Sequence, residues 1–420
     1  MRSKKLSLGL AMLLVTLSIT ELMTATPVVA QVESILHNFG SSTKAGVNPD
    51  SVLIFDSAGN LYGTASFGGN ENVGVAFELS PKAGGGYSEK VLHSFSKTGG
   101  DGQNPSNGLI VDSAGNLYGN TMAGGADDQG TVFELSPPVP PSTQWTETIL
   151  HSFGSSSSDG QDPRGTLVFD AAGNLYGVTE EGGSSVVGTA YELSPAGGGV
   201  WNESIIHTFT TGTGWLPSGG MILDASGNLY GVTGFGGGEG DGVVFELSPA
   251  GGGSWSYTIL HNFTSGSDGS FPEGGLVFDS AGNLYGITAY GNPIGNGTVF
   301  ELSPSSGGTW TETIIHAFAT PTDGAIPNGA PVFNSAGALL GTTLGGGTGS
   351  CPETAACGIV FELHFAGGAW HERILHDFNE KGTDGFFPTS GVVLDSAGNA
   401  YGTTEYGGTA GDGTVYLLKP

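Results

Sequence analysis

The stretch Asp112-Ser-Ala-Gly-Asn-Leu-Tyr-Gly119 occurs in seven versions along the chain. They are Asp56–Gly63, Asp112–Gly119, Asp170–Gly177, Asp224–Gly231, Asp279–Gly286, Asn334–Gly341 and Asp395–Gly402, spaced 54 to 61 residues apart. A period in this range marks a repeat architecture. Each version reads as a hairpin corner. The apolar runs Gly108–Asp112 and Asn116–Gly119 flank three residues suited to a type I turn closed by a left-handed glycine, here Gly115. Asp112 is placed to accept backbone N–H groups across the turn, and Asn334 can do the same. These residues therefore read as turn caps, not catalytic acids.

Outward from the corner, the remaining strands follow. In the second repeat they are Gly108–Asp112, Leu117–Thr121, Thr131–Ser136 and Trp145–Phe153. The apolar runs are short, β-branched or aromatic, and bounded by Gly, Pro, Asn and Asp, while no helical period survives three turns. The 77 glycines fall at regular places between these runs, unlike those of a disordered glycine-rich chain. Four antiparallel strands repeated seven times predict an all-β, seven-bladed β-propeller. The ends are complementary: Val32–Phe39 is a fourth strand standing alone, and Gly413–Leu418 is a third strand lacking its fourth. Pairing the N- and C-terminal strands closes the ring and removes an open edge, whereas a solenoid would need capping repeats. This phase puts the Ser-Ala-Gly turns on one face. The other face carries the variable Asp-Gly-x-x-Pro and Gly-Gly loops, where function is expected.

Residues 1–30 read as a signal peptide: a basic start with Arg2, Lys4 and Lys5, an apolar Leu6–Ile19, and small residues before a cut near Ala30. Residues 31–420 then form a single seven-repeat domain, with no later run long enough to span a membrane. The full chain carries a net charge of −28. Without Arg2, Lys4, Lys5 and Glu21 it keeps 8 basic and 38 acidic side chains, near −30. Such a surface repels phosphate backbones, so nucleic acid is excluded as a partner. The expected location is secreted or periplasmic.

The unit Gly-Asn-Leu-Tyr-Gly-x-Thr, Gly-Gly, Gly-Thr-Val-Phe-Glu-Leu-Ser-Pro, Trp-Thr-Glu-Thr-Ile-Leu-His-x-Phe resembles the GloVer tandem repeat of exported bacterial proteins called choice-of-anchor tandem repeat proteins. The resemblance covers residues 31–420. It implies export and a repeat fold, and no catalytic residue. Members often end in an anchoring tail, whereas this sequence stops at Pro420 directly after its last strand.

Seven histidines share one slot, Leu/Ile-His-x-Phe: His37, His93, His151, His207, His261, His316 and His376. One per blade at the periphery reads as a structural part. His364 and His371 flank a turn and are the candidate metal pair, without an evident third ligand. Cys351 and Cys357 are expected to form a disulfide in an exported chain. Acids on the loop face include Asp101, Asp159, Glu180, Asp268, Glu273, Asp323, Asp384 and Glu405. The aromatics Phe67, Phe235, Tyr290 and Tyr406 join them, and Trp215 lies in Gly214-Trp-Leu-Pro217, where the other blades mostly have Asp-Gly-x-x-Pro. Carboxylates accept from sugar hydroxyls and rings stack on pyranose faces. The ligand-binding candidates are therefore Asp101, Asp159, Trp215, Phe235, Asp268, Tyr290, Asp323, Asp384 and Tyr406. Turn capping by the aspartates and loop packing by the rings are the bland alternative. No cofactor is expected. Hard oxygen donors admit calcium, but no Asp-x-Asp-x-Asp-Gly loop is present. No Gly-x-Ser-x-Gly elbow, His-Glu-x-x-His or phosphate loop appears. The expected function is a non-catalytic module that binds an extracellular glycan or protein. The alternative is a carbohydrate-active hydrolase or lyase with a carboxylate site near the channel mouth.

Overall fold

The computed structural model describes residues 32–40, 42, 44–291, 294–351 and 357–419. The expected leader lies outside the described residues. Every regular element described is a strand; seven four-stranded antiparallel sheets form the blades of a propeller, and two short two-stranded ribbons, Gly46–Val47 with Phe67–Gly68 and Gly385–Phe386 with Tyr406–Gly407, stand beside them. Blade I comprises Ile54–Phe55, Leu61–Ala65, Val75–Pro81 and Tyr87–Ser94, in order from the axis outward. Blades II to VI repeat this order along the chain. Blade VII combines Val393–Leu394, Ala400–Thr404 and Thr414–Lys419 with Val32–Asn38. Its closing register runs Val32↔Lys419, Ile35↔Tyr416 and Asn38↔Thr414. The ring is thus closed by the first described strand pairing with the last.

The corners explain the repeat. Asp112 accepts from the Ala114 and Asn116 backbone N–H groups through Oδ1, at 2.8 and 2.9 Å. Through Oδ2 it accepts from Asn116 Nδ2 and the Tyr118 hydroxyl, at 2.8 and 3.2 Å. Burial raises the carboxyl pKa, but these bonds outweigh it and hold the group below its ordinary value. Asn334 keeps only the two backbone bonds, to Ala336 and Ala338. Two glycines in one corner act differently. Gly115 has φ +87° and open space around it, so its need is conformational. A Cβ on Gly119 would lie 2.7 Å from Phe133, so its need is steric.

The core lies between the blades. The Phe of each Leu/Ile-His-x-Phe stands edge-on to an aromatic ring on the third strand of the next blade, as Phe95 does on Phe133 at 5.2 Å and Phe378 on Tyr416 at 5.2 Å. These rings are fully buried. Edge-to-face pairs add to the area term of burial.

One boundary differs from the sequence reading. The inner strand of blade II runs Gly102–Val111, taking in the Asp-Gly-x-x-Pro segment expected as a loop. Gly102 pairs with Gly124 and Pro105 with Thr121, with a register irregularity between Ser106 and Ile110. Proline is tolerated because this strand borders the axis and has one edge outside the ladder.

Candidate functional site at the axial channel

The residue before the proline that lies in, or shortly precedes, each repeat's inner strand departs from ordinary strand geometry. Asn48, Asn104, Asp162, Leu216, Phe271, Ile326 and Phe387 all have φ between 52° and 62°. Asn and Asp enter this region readily, but Leu, Phe and Ile are strained in it. The N–H of several of these residues donates to a loop of the preceding blade: Asn104 to Val73 O at 2.7 Å, Ile326 to Asn296 O at 3.0 Å. The residue after the proline then lines the axis. Asp50, Ser106, Arg164, Ser218, Glu273, Asn328 and Thr389 all border one cavity of about 300 Å³, together with Glu180, Glu405 and Phe271. Backbone strain repeated around a polar cavity is a mark of a functional site. The volume sits at the lower end of small-molecule pockets, which run to roughly 300–1,000 Å³.

The charges in this cavity are unequal. Arg164 Nε stands 2.7 Å from Glu180 Oε2, and its Nη2 donates to Asp162 Oδ2 at 3.0 Å. Burial raises Glu180 while Arg164 opposes it. Burial also raises Glu273, with the Glu180 charge adding and Arg164 opposing. Asp50 keeps a small face toward the cavity but is otherwise walled by protein. Burial pushes its carboxyl up to about 7, against the hydrogen bond from Ser66 Oγ to its Oδ2 at 2.5 Å. Glu405 accepts from Asn48 Nδ2 at 3.2 Å. The cavity can therefore offer acceptors, a guanidinium and a carboxyl that titrates close to neutrality.

Beside it runs a ribbon of rings. Trp215 and Phe235 bond each other's backbones (2.8 and 3.1 Å) and stack at 4.7 Å. Phe235 meets Phe271 at 4.8 Å, and Phe271 meets Tyr290 at 5.9 Å. Phe235 and Tyr290 are 36% and 46% exposed, which leaves ring faces open to solvent. Phe271 joins this ribbon to the axial cavity. Tyr406 lies apart, stacked on Phe386 at 5.7 Å and bordering a second cavity of about 560 Å³ with Ile326, Leu344 and Phe387.

Asp101, Asp159, Asp268, Asp323 and Asp384 are elsewhere. They point into the blade junctions, where each joins a histidine of one blade and a glutamate of the next: His93 with Glu147, His151 with Glu203, His261 with Glu312, His316 with Glu372, and His376 with Glu33. All but Asp101 also cap their own loops, as Asp268 does for Thr264 N and Oγ1 at 3.1 and 2.8 Å. The other two junctions differ. Ala45 stands in the aspartate slot at one, where His37 lies 3.3 Å from Glu89 and Glu89 also accepts from Gly46 N. Thr213 and Tyr257 replace both acids at the other. There Tyr257 stacks on His207 at 4.1 Å and donates its hydroxyl to Thr213 O. Burial alone brings His207 down to about 4. His364 and His371 pair across their hairpin with ring centroids 5.6 Å apart, and His371 Nε2 contacts Ala366 O at 3.1 Å. Cys351 and Cys357 are joined by a disulfide.

Asp50, Arg164, Phe271 and the junction glutamates escaped the sequence reading. A signal was present for the first two: the residue after the repeat proline is polar in all seven copies and differs between most of them.

Ring, strained rim and polar axis define a seven-bladed β-propeller with a cavity built from all seven blades. The chain belongs to the Gloeobacter/Verrucomicrobia repeat family, whose model matches residues 22–221, 139–355 and 279–420. Its fold is similar to the extracellular domain of a proposed one-component system from B. thetaiotaomicron, with a TM-score of 0.52 and 12% identity. That match covers 92% of this chain and 42% of the other, so the chain spans less than half the length of that protein. A protein of unknown function from Dyadobacter fermentans matches at a TM-score of 0.43 and 12% identity, over 92% of this chain and 96% of that one. No curated protein matches the chain. No helix among the described residues is long and apolar enough to cross a membrane.

Proposed function

We propose that the chain is an exported, non-catalytic module that binds a glycan at the axial cavity. The observation that carries this reading is the ring ribbon Trp215–Phe235–Phe271–Tyr290 running up to a cavity with Arg164, Glu180 and Glu273. Rings present flat apolar faces to sugar C–H groups, and the cavity supplies both acceptors and a forked donor for hydroxyls. The test is a glycan array on residues 31–420, with and without calcium. Binding to one glycan class should weaken roughly tenfold or more in Phe235→Ala and Tyr290→Ala, about 1.4 kcal/mol each. Absence of glycan binding in both conditions sinks the sugar reading and leaves a protein partner, to be sought by pull-down.

One observation favours a hydrolase or lyase as the second reading: the cavity acids are unequal, with Asp50 pushed up to about 7 by burial and Glu180 against a guanidinium. An acid and a base on one substrate need such a split. Release of new reducing or unsaturated ends from the bound glycan, lost in Asp50→Asn, would select it.

A further inference from the structure

We infer that the blade junctions are divalent metal sites, built best at His151, Asp159 and Glu203 and repeated at four other junctions, and that they take Zn²⁺. At this junction His151 Nε2 stands 3.6 Å from Asp159 Oδ1 and 3.6 Å from Glu203 Oε1. Those separations exceed an N–H···O hydrogen bond. All three atoms are buried and none makes a hydrogen bond. The Asp159 side chain is only 2% exposed, and its Oδ1 is a buried oxygen grouped with His151 Nε2 and Glu203 Oε1. Leaving such a carboxylate oxygen without a partner is costly. Its second oxygen accepts from Ser155 N and Oγ at 2.8 Å each, which fixes the direction of the first.

The spacing fits a small cation. Bonds of about 2.0–2.2 Å to a tetrahedral Zn²⁺ put neighbouring donor atoms about 3.4 Å apart. His261 repeats the arrangement, 3.6 Å from Asp268 and 3.7 Å from Glu312, again with its Nε2 and Glu312 Oε1 making no hydrogen bond. At His93 and His376 the aspartate is closer, at 3.2 and 3.3 Å, and the glutamate remains at 3.5 and 3.7 Å. One imidazole and two carboxylates balance a dication to near neutrality, in a chain with a large excess of acid. The imidazole selects Zn²⁺ over Ca²⁺, which takes oxygen donors. Water or a second carboxylate oxygen completes the coordination. Because the glutamate belongs to the next blade, a bound ion fastens the outer rims of two blades together.

The ring contains its own controls. The junction with Thr213 and Tyr257 has lost both acids together, and stacking fills the space. The test uses chelator-stripped residues 31–420, dialysed to equilibrium against Zn²⁺ with excess Mg²⁺ and Ca²⁺ to occupy diffuse acidic sites. About five Zn²⁺ per chain are expected, one for each His–Asp–Glu set among the described residues. Asp159→Ala should lose one of them, and Zn²⁺ should raise the melting temperature of the wild type. Alanine already occupies this slot at Ala45, so the variant is expected to fold. Fewer than two ions per chain, or a count unchanged in Asp159→Ala, overturns the inference. If Asp159→Ala misfolds, Co²⁺ loaded into the wild type decides: intense tetrahedral visible absorption supports the sites, and the weak spectrum of hydrated Co²⁺ refutes them.

Discussion

Replacing Asp50 by asparagine tests the electrostatics of the axial cavity. The carboxyl moves from an ordinary 3.8 to about 7, chiefly through burial. That difference corresponds to as much as about 4 kcal/mol. Below pH ~4 the group is protonated in folded and unfolded chains alike and contributes nothing. Between about pH 4 and 7 the unfolded chain releases the proton while the folded chain retains it, so wild-type stability falls. Above about pH 7 the deficit is constant. The substituted amide does not titrate and keeps an oxygen to accept from Ser66. The stability of Asp50→Asn relative to wild type should therefore climb from near zero at pH 4 to as much as about 4 kcal/mol at pH 8. Urea midpoints of both proteins, taken at each pH unit from 4 to 8, measure it. Groups unchanged by the substitution cancel in the difference. A difference that stays flat across this range would show that Asp50 ionises normally, and the account of the cavity would fail.

Asp112→Ala removes an acceptor of four hydrogen bonds and should cost about 2 kcal/mol, whereas Asp112→Asn, which blade VI already tolerates at Asn334, should cost about half that; chemical denaturation ranks them, and equal losses would contradict the capping role. His207 should remain neutral down to about pH 4 in an NMR titration, and protonation near 6.5 would show that its burial against Tyr257 is not maintained. Phe95→Ala, at a fully buried junction ring, should cost about 3–5 kcal/mol by thermal or urea unfolding. Deleting residues 31–39 exposes the edge of Thr414–Lys419 and should produce concentration-dependent aggregation in light scattering; a monomeric, stable product would refute the closing role of that strand.

The blades and their closure were legible because each strand is bounded by chemistry that acts locally. Asp112, Gly115 and Asn116 specify a corner without reference to anything distant. The same holds for the pairing of first and last strands, since each is visibly incomplete alone. The junction sets were not legible. Glu147 sits in a Thr-Glu-Thr run that alternates like an ordinary half-exposed strand, and its partner His93 lies in the preceding repeat. Only the angle between blades brings them together. Asp159 has the spacing of a loop cap and does cap its loop, which conceals that one oxygen is turned inward. The axial cavity depends on a left-handed residue before each proline. Leu216, Phe271 and Ile326 give no local hint of that conformation, because no single residue type there demands it.

The pairing of Val32–Asn38 with Thr414–Lys419 has a consequence in time. These strands are joined across nearly the whole chain, so the earliest strand to be synthesised waits for the latest. Six blades can fold as neighbours in sequence, while the seventh is assembled from both extremes. Until then a β-competent segment travels unpaired, and the half-built ring presents a matching edge at its other side. Contacts of such long separation form slowly, and open edges invite a second molecule. A folding chain would be most vulnerable to dimerising by strand exchange during that interval, before Val32–Asn38 and Thr414–Lys419 have met.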